Sequence, residues 1–494
     1  MNRNKPYLFQ SFAIIVIAVM ALIVFKQFLP RKIFTETTKI TENVVIDSLV
    51  LEAVQSIDTV AVEEKDTLVV DKKIVFKKEK NIQFSAETVQ EYKGYQHLID
   101  FYEKLSQLEE TKEGKVRIAY FGDSMTDGDM IVKDLRAKMQ DRFGGEGVGF
   151  VSITSESASA RGTLKHKFSK NWETLSYLNV KKPRSPFGVS GHVFFTENDT
   201  VNPSWVQYTA YNQDHISKLN APTLFYGQSN NQEGNVSIIT RKDTIYKDLN
   251  PERIVNKLTV APYDLKKFKA KFTASDSIPF YGFNFDNGKG VHVDNFSSRG
   301  NSGLPISIFN TEVMQAFNDE LGYDLIVLHY GTNVLNYGSF NYRWYERRMS
   351  RVVDHIRECF PGVAILIIST ADKSTKYGME MKTDSAVVPL TLAQRRYAIK
   401  KEAAFVNLYS LMGGNGSMVR WVEGSPALAS KDYTHFNYRG AVKVGKLIYK
   451  QIDKGYEQYK KMKALEEILI IKEEPATEVK EDSLNQKTDS IHAE

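Results

Sequence analysis

Ser124, Asp432 and His435 are of the three side-chain types that make a nucleophile, an orienting carboxylate and a base. A serine hydroxyl attacks a carbonyl only when a base takes its proton, and a histidine does so best when a carboxylate holds its other ring nitrogen. Asp432 and His435 stand three residues apart. On a loop or helical turn both can face one way, with Asp432 on Nδ1–H and Nε2 turned to the serine. Attack on an ester also charges the carbonyl oxygen, where one preorganised donor is worth about 3 kcal/mol. The candidate donors are Gly300 in Arg299-Gly300-Asn301-Ser302-Gly303, Asn333 in Gly331-Thr332-Asn333, and the Ser124 N–H. Gly303 is the alternative to Gly300. Asp123, beside the serine, reads as a capping and turn-forming residue.

These residues need a frame that brings four distant segments together. The apolar run Val116-Arg117-Ile118-Ala119-Tyr120-Phe121 predicts a strand that delivers Gly122-Asp123-Ser124 to a strand-to-helix turn. Later, 324–330 reads as strand, 342–359 as helix, 364–368 as strand, 391–401 as helix and 405–408 as strand. That alternation implies a parallel sheet covered by helices on both faces. Between the first and second segments the texture changes to short strand-like runs separated by Asn, Asp, Gly and Pro, which predicts an inserted β-sandwich over 165–290. The sheet-and-helix domain then occupies 91–164 and 291–472.

The four segments, in the order Ser, Gly, Asn, His, resemble the SGNH or GDSL-like hydrolase family. The resemblance spans roughly 115–155 and 290–455. It implies Ser124 as nucleophile, Asp432 and His435 as the rest of the triad, and Ser124, Gly300 and Asn333 as the oxyanion hole. The first block departs from the family in reading Gly-Asp-Ser-Met where Leu is usual, a volume-conserving change. Phe121 to Phe150 and the inserted β region resemble the peptidoglycan O-acetylesterases in particular. That implies removal of O-acetyl groups from a cell-wall or surface polysaccharide through an acyl-serine. The same triad also serves an O-acetyltransferase supplied by an acyl-delivering membrane partner, and a third reading is an inactive glycan-binding scaffold.

With 494 residues, 42% hydrophobic and 25% charged, the chain is long enough for more than one domain. A net charge of +5 from 65 basic and 60 acidic residues carries no nucleic-acid footprint. Phe12 to Phe25 is without a polar residue and, with Leu8 and Phe9, is long enough to span a bilayer. No small-residue cleavage site follows it, so residues 1–30 are expected to be a signal anchor holding the rest outside the cytoplasm, in a periplasm or cell envelope; a cleaved signal is the alternative. Residues 31–90 read as an extended linker and 473–494 as a disordered charged tail, so a fragment beginning near 91 is expected to carry the whole activity. One cysteine, Cys359, excludes an intrachain disulfide, and the nine histidines show no metal spacing. No cofactor or metal is expected. Trp205 is the candidate for stacking on a sugar ring.

Overall fold

A computed structural model of the chain describes residues 47–55, 73–197, 201–335 and 341–473, together with Phe12, Ala13, Val16, Ile17 and Met20, which are helical. The apolar run expected to cross a membrane lies largely outside the described residues. Among those that are described, no helix is long and apolar enough to do so. The expected tail after Glu473 also lies outside them. Met1–Val44 and Val45–Glu494 are two compact units, and the strands among the described residues all belong to the second.

Five parallel strands form its centre: β1 (Lys115–Gly122), β2 (Gly290–Asn295), β3 (Leu325–His329), β4 (Ala364–Ile368) and β5 (Ala404–Val406), in the order β2-β1-β3-β4-β5. Every residue of β3 and β4 is buried, which is why these strands are unbroken apolar runs rather than alternating ones. Among the described residues the helices of eight or more residues are α1 (Ser48–Gln55), α2 (Ile99–Thr111), α3 (Val132–Phe143), α4 (Thr311–Leu321), α5 (Arg343–Cys359), α6 (Val387–Lys400) and α7 (Tyr438–Glu473), with the short helices Leu408–Met412 and Ser417–Glu423 before α7. α3 packs on α7 and β2, and α5 packs on α4 and α6, giving two helical layers. The strand order reverses between β1 and β3, and at such a switch point the loops leaving the carboxyl ends diverge to leave a crevice.

The inserted strands form two antiparallel sheets. An inner six-stranded sheet runs Val255–Thr259, Thr223–Gly227, Phe280–Phe285, His192–Thr196, Trp172–Ser176, with Gly149–Ser152 also paired to Phe280–Phe285. An outer five-stranded sheet runs Thr244–Asp248, Asn235–Ile239, Lys267–Thr273, Trp205–Ala210, Leu164–Phe168. Successive side chains on a strand point to opposite faces, so the inner sheet feeds two cores. Val193, Phe195, Phe225 and Tyr281 join the core of the parallel-sheet region, while Phe194, Leu224, Tyr226 and Phe280 join the core between the two antiparallel sheets. The sandwich strands thus lie between Gly149 and Phe285, earlier than the 165–290 read from the sequence. The cause is the glycine run after α3: at Gly147, with φ of 99°, a Cβ would sit 1.7 Å from the Phe285 carbonyl oxygen. Only glycine lets the chain pass there on its way into the sandwich. Across this seam, buried Arg117 on β1 donates to Asp294 on β2 at 2.7 and 2.9 Å and to Asn284 of the inner sheet at 2.7 Å.

The segment 31–90 is not simply an extended linker. Within its described part, α1 packs against α5 and the turn Leu304–Ile308, and Lys73–Ile74 pairs with Glu87–Thr88. Val50, Ala53, Phe76, Ile82 and Phe84 are buried in the main core. Val50 and Ala53 are three apart on one face of α1, and Ile82 and Phe84 alternate about exposed Gln83, but each pattern is too short to stand out in the sequence.

Candidate active site

β1 ends in a tight turn at Asp123-Ser124. The Asp123 carboxylate accepts the Met125 N–H at 2.9 Å, and its carbonyl accepts those of Thr126 and Asp127 at 3.2 and 3.1 Å. Burial pushes the Asp123 carboxyl up to about 6, against hydrogen bonds from Met125 and Thr332 that pull it down. Asp123 therefore joins the serine turn to the Gly331-Thr332-Asn333 loop that follows β3. Ser124 projects from this turn with its Oγ 2.9 Å from Nε2 of His435.

His435 and Asp432 lie on the loop just before α7. Nδ1 of His435 donates to Asp432 Oδ2 at 2.8 Å, and the other carboxylate oxygen accepts the backbone N–H groups of Thr434 and His435, both at 3.0 Å. Tyr433, between them, sits at φ 53°, a left-handed conformation uncommon for a bulky residue, in a loop that sets Asp432 on Nδ1 of His435 while Nε2 faces Ser124. Burial would raise the Asp432 carboxyl, but the bond from His435 and the two N–H groups outweigh it and hold it at about 2. The carboxylate is thus ionised at neutral pH and available to hold Nδ1–H. We predict that Asp432→Asn lowers kcat for an aryl acetate by about a thousandfold or more at unchanged fold. Asparagine keeps an oxygen for the two backbone N–H groups but offers its amide N–H to Nδ1, which favours the wrong tautomer. A loss under tenfold would mean that Asp432 only shapes the loop.

The Gly300 loop follows β2 and is drawn onto the serine turn by two contacts. The Ser298 N–H donates to the Gly122 carbonyl at 3.1 Å, and Thr126 Oγ1 donates to Ser297 Oγ at 2.7 Å. Gly300 has φ 76°, in the left-handed region. The N–H of Gly303, the alternative donor, is spent on Asn301 Oδ1 at 2.8 Å, and Gly303 packs where a Cβ would meet the Tyr330 ring at 2.8 Å. Asn333 donates one of its two amide hydrogens to the Asn301 carbonyl at 3.1 Å, which fixes the amide and leaves the second hydrogen for a developing oxyanion. Ser124, His435 and Asp432 are therefore linked directly, and Gly300 and Asn333 lie on two loops tied to each other and to the serine turn.

Trp205 is not brought to the triad. Val206 and Tyr208 fill the core between the two antiparallel sheets, so Trp205 projects from the opposite, outer face, with the inner sheet between it and the parallel-sheet domain. His329 is buried with Nδ1 2.7 Å from the Tyr120 hydroxyl, and its burial lowers its pKa to about 3. Among the described residues no group of three or more His, Cys, Asp or Glu is placed to hold a metal ion.

Two features of the site escaped the sequence. A cavity of about 250 Å³ opens beside the Gly300 loop, where the catalytic loops meet the inner sheet, and Asp127, Ser157, Thr174, Asn179, His192 and Arg299 are among its lining. Arg299 Nε and Ser157 Oγ both donate to Asp127, each at 2.7 Å. The His192 Nδ1–H donates to the Ser190 carbonyl at 2.9 Å, which leaves Nε2 as an acceptor. Asp127 and Arg299 stand three residues after the serine and one before Gly300, a nearness that flags them in hindsight. The second feature is Asp47, buried at the start of α1, whose carboxylate accepts the N–H (3.3 Å) and the hydroxyl of Ser302 on the Gly300 loop. Locally Asp47 is only a cap, its carboxylate accepting the Leu49 N–H at 3.0 Å at the start of α1; the contact with Ser302, 255 residues away, leaves no mark in the sequence.

No protein-family model matches the chain. No curated protein matches it in sequence. Among solved structures, a peptidoglycan O-acetylesterase matches with a TM-score of 0.60 at 20% identity, over 73% of this chain and 96% of that one. A family two carbohydrate esterase from Cellvibrio japonicus (8% identity, 60% of this chain and 98% of that one) and the carbohydrate acetylesterase Est24 from Sinorhizobium meliloti (12%, 33% and 79%) match at TM-scores of 0.24 and 0.25, too low to speak for shared architecture. The chain shares its fold along most of its length with the first of these structures.

Proposed function

We propose that the chain is a serine esterase that removes O-acetyl groups from a cell-wall or surface polysaccharide, held outside the cytoplasm by the apolar segment near its N-terminus. The observation that carries the reading is the unbroken relay from Ser124 Oγ through His435 to Asp432, at 2.9 and 2.8 Å. In the first step Ser124 Oγ attacks the acetyl carbonyl carbon while Nε2 of His435 takes the hydroxyl proton. The charge that forms on the carbonyl oxygen faces the N–H groups of Ser124 and Gly300 and the amide of Asn333. The intermediate collapses by breaking the bond to the sugar oxygen, which leaves as a hydroxyl with the proton from His435. Water, deprotonated by His435, then attacks the acetyl-serine, and acetate departs as Ser124 regains its proton.

The His435 and Asp432 side chains are 43% and 49% exposed, an open arrangement that admits water and favours hydrolysis over transfer. The polar cavity beside Gly300 offers hydroxyl, amide, imidazole and charged groups to a glycan, and the fold shared with a peptidoglycan O-acetylesterase makes peptidoglycan the first substrate to try. The test is acetate release from O-acetylated peptidoglycan by the wild-type protein and by Ser124→Ala. Release by the wild type alone is the expected result. Acetyl groups moving to an added glycan acceptor, with no free acetate, would replace the esterase by a transferase. No loss of acetyl from any glycan or aryl acetate would leave the scaffold reading.

A further inference from the structure

The outer sheet of the sandwich carries a concentration of positive charge that the catalytic reading does not use. In its last three strands Val206, Tyr208, Phe268, Ala270 and Phe272 are buried toward the inner sheet, so the alternate residues form the outward face. Those residues are Trp205, Gln207 and Thr209 on the middle strand, Lys165 and Lys167 on one side of it, and Lys267, Lys269 and Lys271 on the other. The register is regular: Lys165, Thr209 and Lys267 lie abreast, as do Lys167, Gln207 and Lys269, and Trp205 lies beside Lys271. Two columns of ammonium groups, about 10 Å apart from the spacing of strands, therefore flank a floor of one aromatic and two polar side chains.

Arg241 and Lys242, on the turn between Asn235–Ile239 and Thr244–Asp248, extend the same face. With Gln207, Thr209, Tyr263 and Lys269 they line a cavity of about 720 Å³. A second hollow of about 390 Å³ lies at the Trp205 end, against Lys271. Among the described residues, none of Lys165, Lys167, Lys267, Lys269, Lys271, Arg241 and Lys242 is within ion-pair distance of a carboxylate. The one carboxylate on the cavity wall, Asp264, is paired with Lys218 at 3.0 Å. The Lys269 ammonium sits 3.7 Å from the centre of the Trp205 ring, and its pKa is lowered by burial and then by Lys271 and Lys267. Lysines two apart on one strand share a face at about 7 Å, and like charges at that range repel. In a chain whose basic and acidic residues nearly balance, this grid is a local excess that a polyanion would relieve.

We propose that this face docks a carboxylate-bearing polysaccharide laid along the Trp205–Ala210 strand, with its acid groups between the two lysine columns and a sugar ring toward Trp205. The proposal rests on the esterase reading for its claim that this polymer is the one deacetylated at Ser124. Charge complementarity and the trough-like floor favour a carboxylated glycan over the alternatives. A compact site for a single phosphate would use a helix N-terminus or a nest of free backbone N–H groups, and here the N–H groups are spent in the strand ladder, so the face suits a polymer whose charges are spaced along it. The exposed apolar side chains here, Val201 in the Trp205 hollow and Tyr263 at the rim of the larger cavity, stand apart at the two ends and form no continuous apolar stripe of the kind that enters a bilayer.

The test is binding of the full chain to polygalacturonate, which carries no acetyl ester, in parallel with neutral dextran and with vesicles of phosphatidylglycerol and phosphatidylcholine. Polygalacturonate is expected to bind and to weaken as salt is raised, and dextran is expected not to bind. Lys165→Glu, Lys167→Glu and Lys267→Glu together, all at exposed positions, should weaken binding at least tenfold while aryl acetate turnover stays unchanged. Wild-type and variant protein binding polygalacturonate equally, or neither binding it, would overturn the proposal. So would tighter, lysine-dependent binding to the vesicles, which would assign the face to lipid. Turnover of an aryl acetate is read separately, so failure of docking and failure of the esterase reading are distinguishable.

Discussion

Ser124→Ala is expected to lower aryl acetate hydrolysis by about four orders of magnitude or more while leaving the thermal unfolding transition where it was. The side chain is only partly buried, and its Oγ is bound to His435 at 2.9 Å, so removing it leaves no cavity in the core and no buried donor without a partner. The turn itself is held by Asp123 through Met125, Thr126 and Asp127, none of which involves the serine side chain. Residual turnover is expected from the oxyanion donors alone, which still lower the barrier for attack by water. A well-folded variant with more than a tenth of wild-type activity would exclude an acyl-serine route.

The second large effect concerns the chain ahead of residue 91. A fragment starting there, which the sequence suggested would be complete, is expected to lose its cooperative thermal transition, whereas one starting at Val45, the boundary of the compact unit, is expected to keep it. The shorter fragment lacks Val50, Phe76, Ile82 and Phe84, all buried in the main core. Burying each such side chain stabilises by about 1.5–3 kcal/mol, so together they contribute roughly 6–12 kcal/mol before the ordering entropy that their removal returns. That is of the order of a whole domain's net stability, about 5–15 kcal/mol. The same segment supplies Asp47, and in the longer fragment Asp47→Ala should lower kcat about tenfold with KM little changed. Ser302 then loses the acceptor of its N–H and hydroxyl, and the Gly300 loop loosens where a small displacement is costly. A 91–494 fragment that melts at the same temperature as 45–494 and turns over equally fast would reduce the segment to a tether.

What the sequence revealed follows from how local each signal is. Ser124, Gly300, Asn333, Asp432 and His435 each stand inside a short segment whose chemistry can be recognised without knowing its neighbours in space. The strands of the parallel sheet were legible because burial on both faces demands runs such as Ala364–Ile368, which no surface element tolerates. Phe280–Phe285 was harder, since it too is buried on both faces but pairs antiparallel, and a bulge between Phe280 and Gly282 breaks its alternation. Gly149–Ser152 is four residues long and finds its partner more than a hundred residues later, so its place in the sandwich is set wholly by tertiary structure. Trp205 shows the limit of composition: an aromatic on a strand has one of two faces, and only the burial of Val206 and Tyr208 assigns Trp205 to the outer one. Around Phe76 the alternation runs for only two or three residues at a time, and Asp47 offers no more than a capping residue before a short helix, so neither announces its place in the core.

The most direct test of the central claim, that His435 activates Ser124 as the nucleophile, is labelling with a fluorophosphonate followed by peptide mapping. The compound forms a stable adduct only with an activated serine, so nothing depends on how long an acyl intermediate survives. One adduct per chain on the peptide carrying Ser124 is predicted, with aryl acetate activity lost in proportion and no adduct in His435→Ala. Loss of activity with the label on another residue, or full activity after Ser124 has been labelled, would contradict the account.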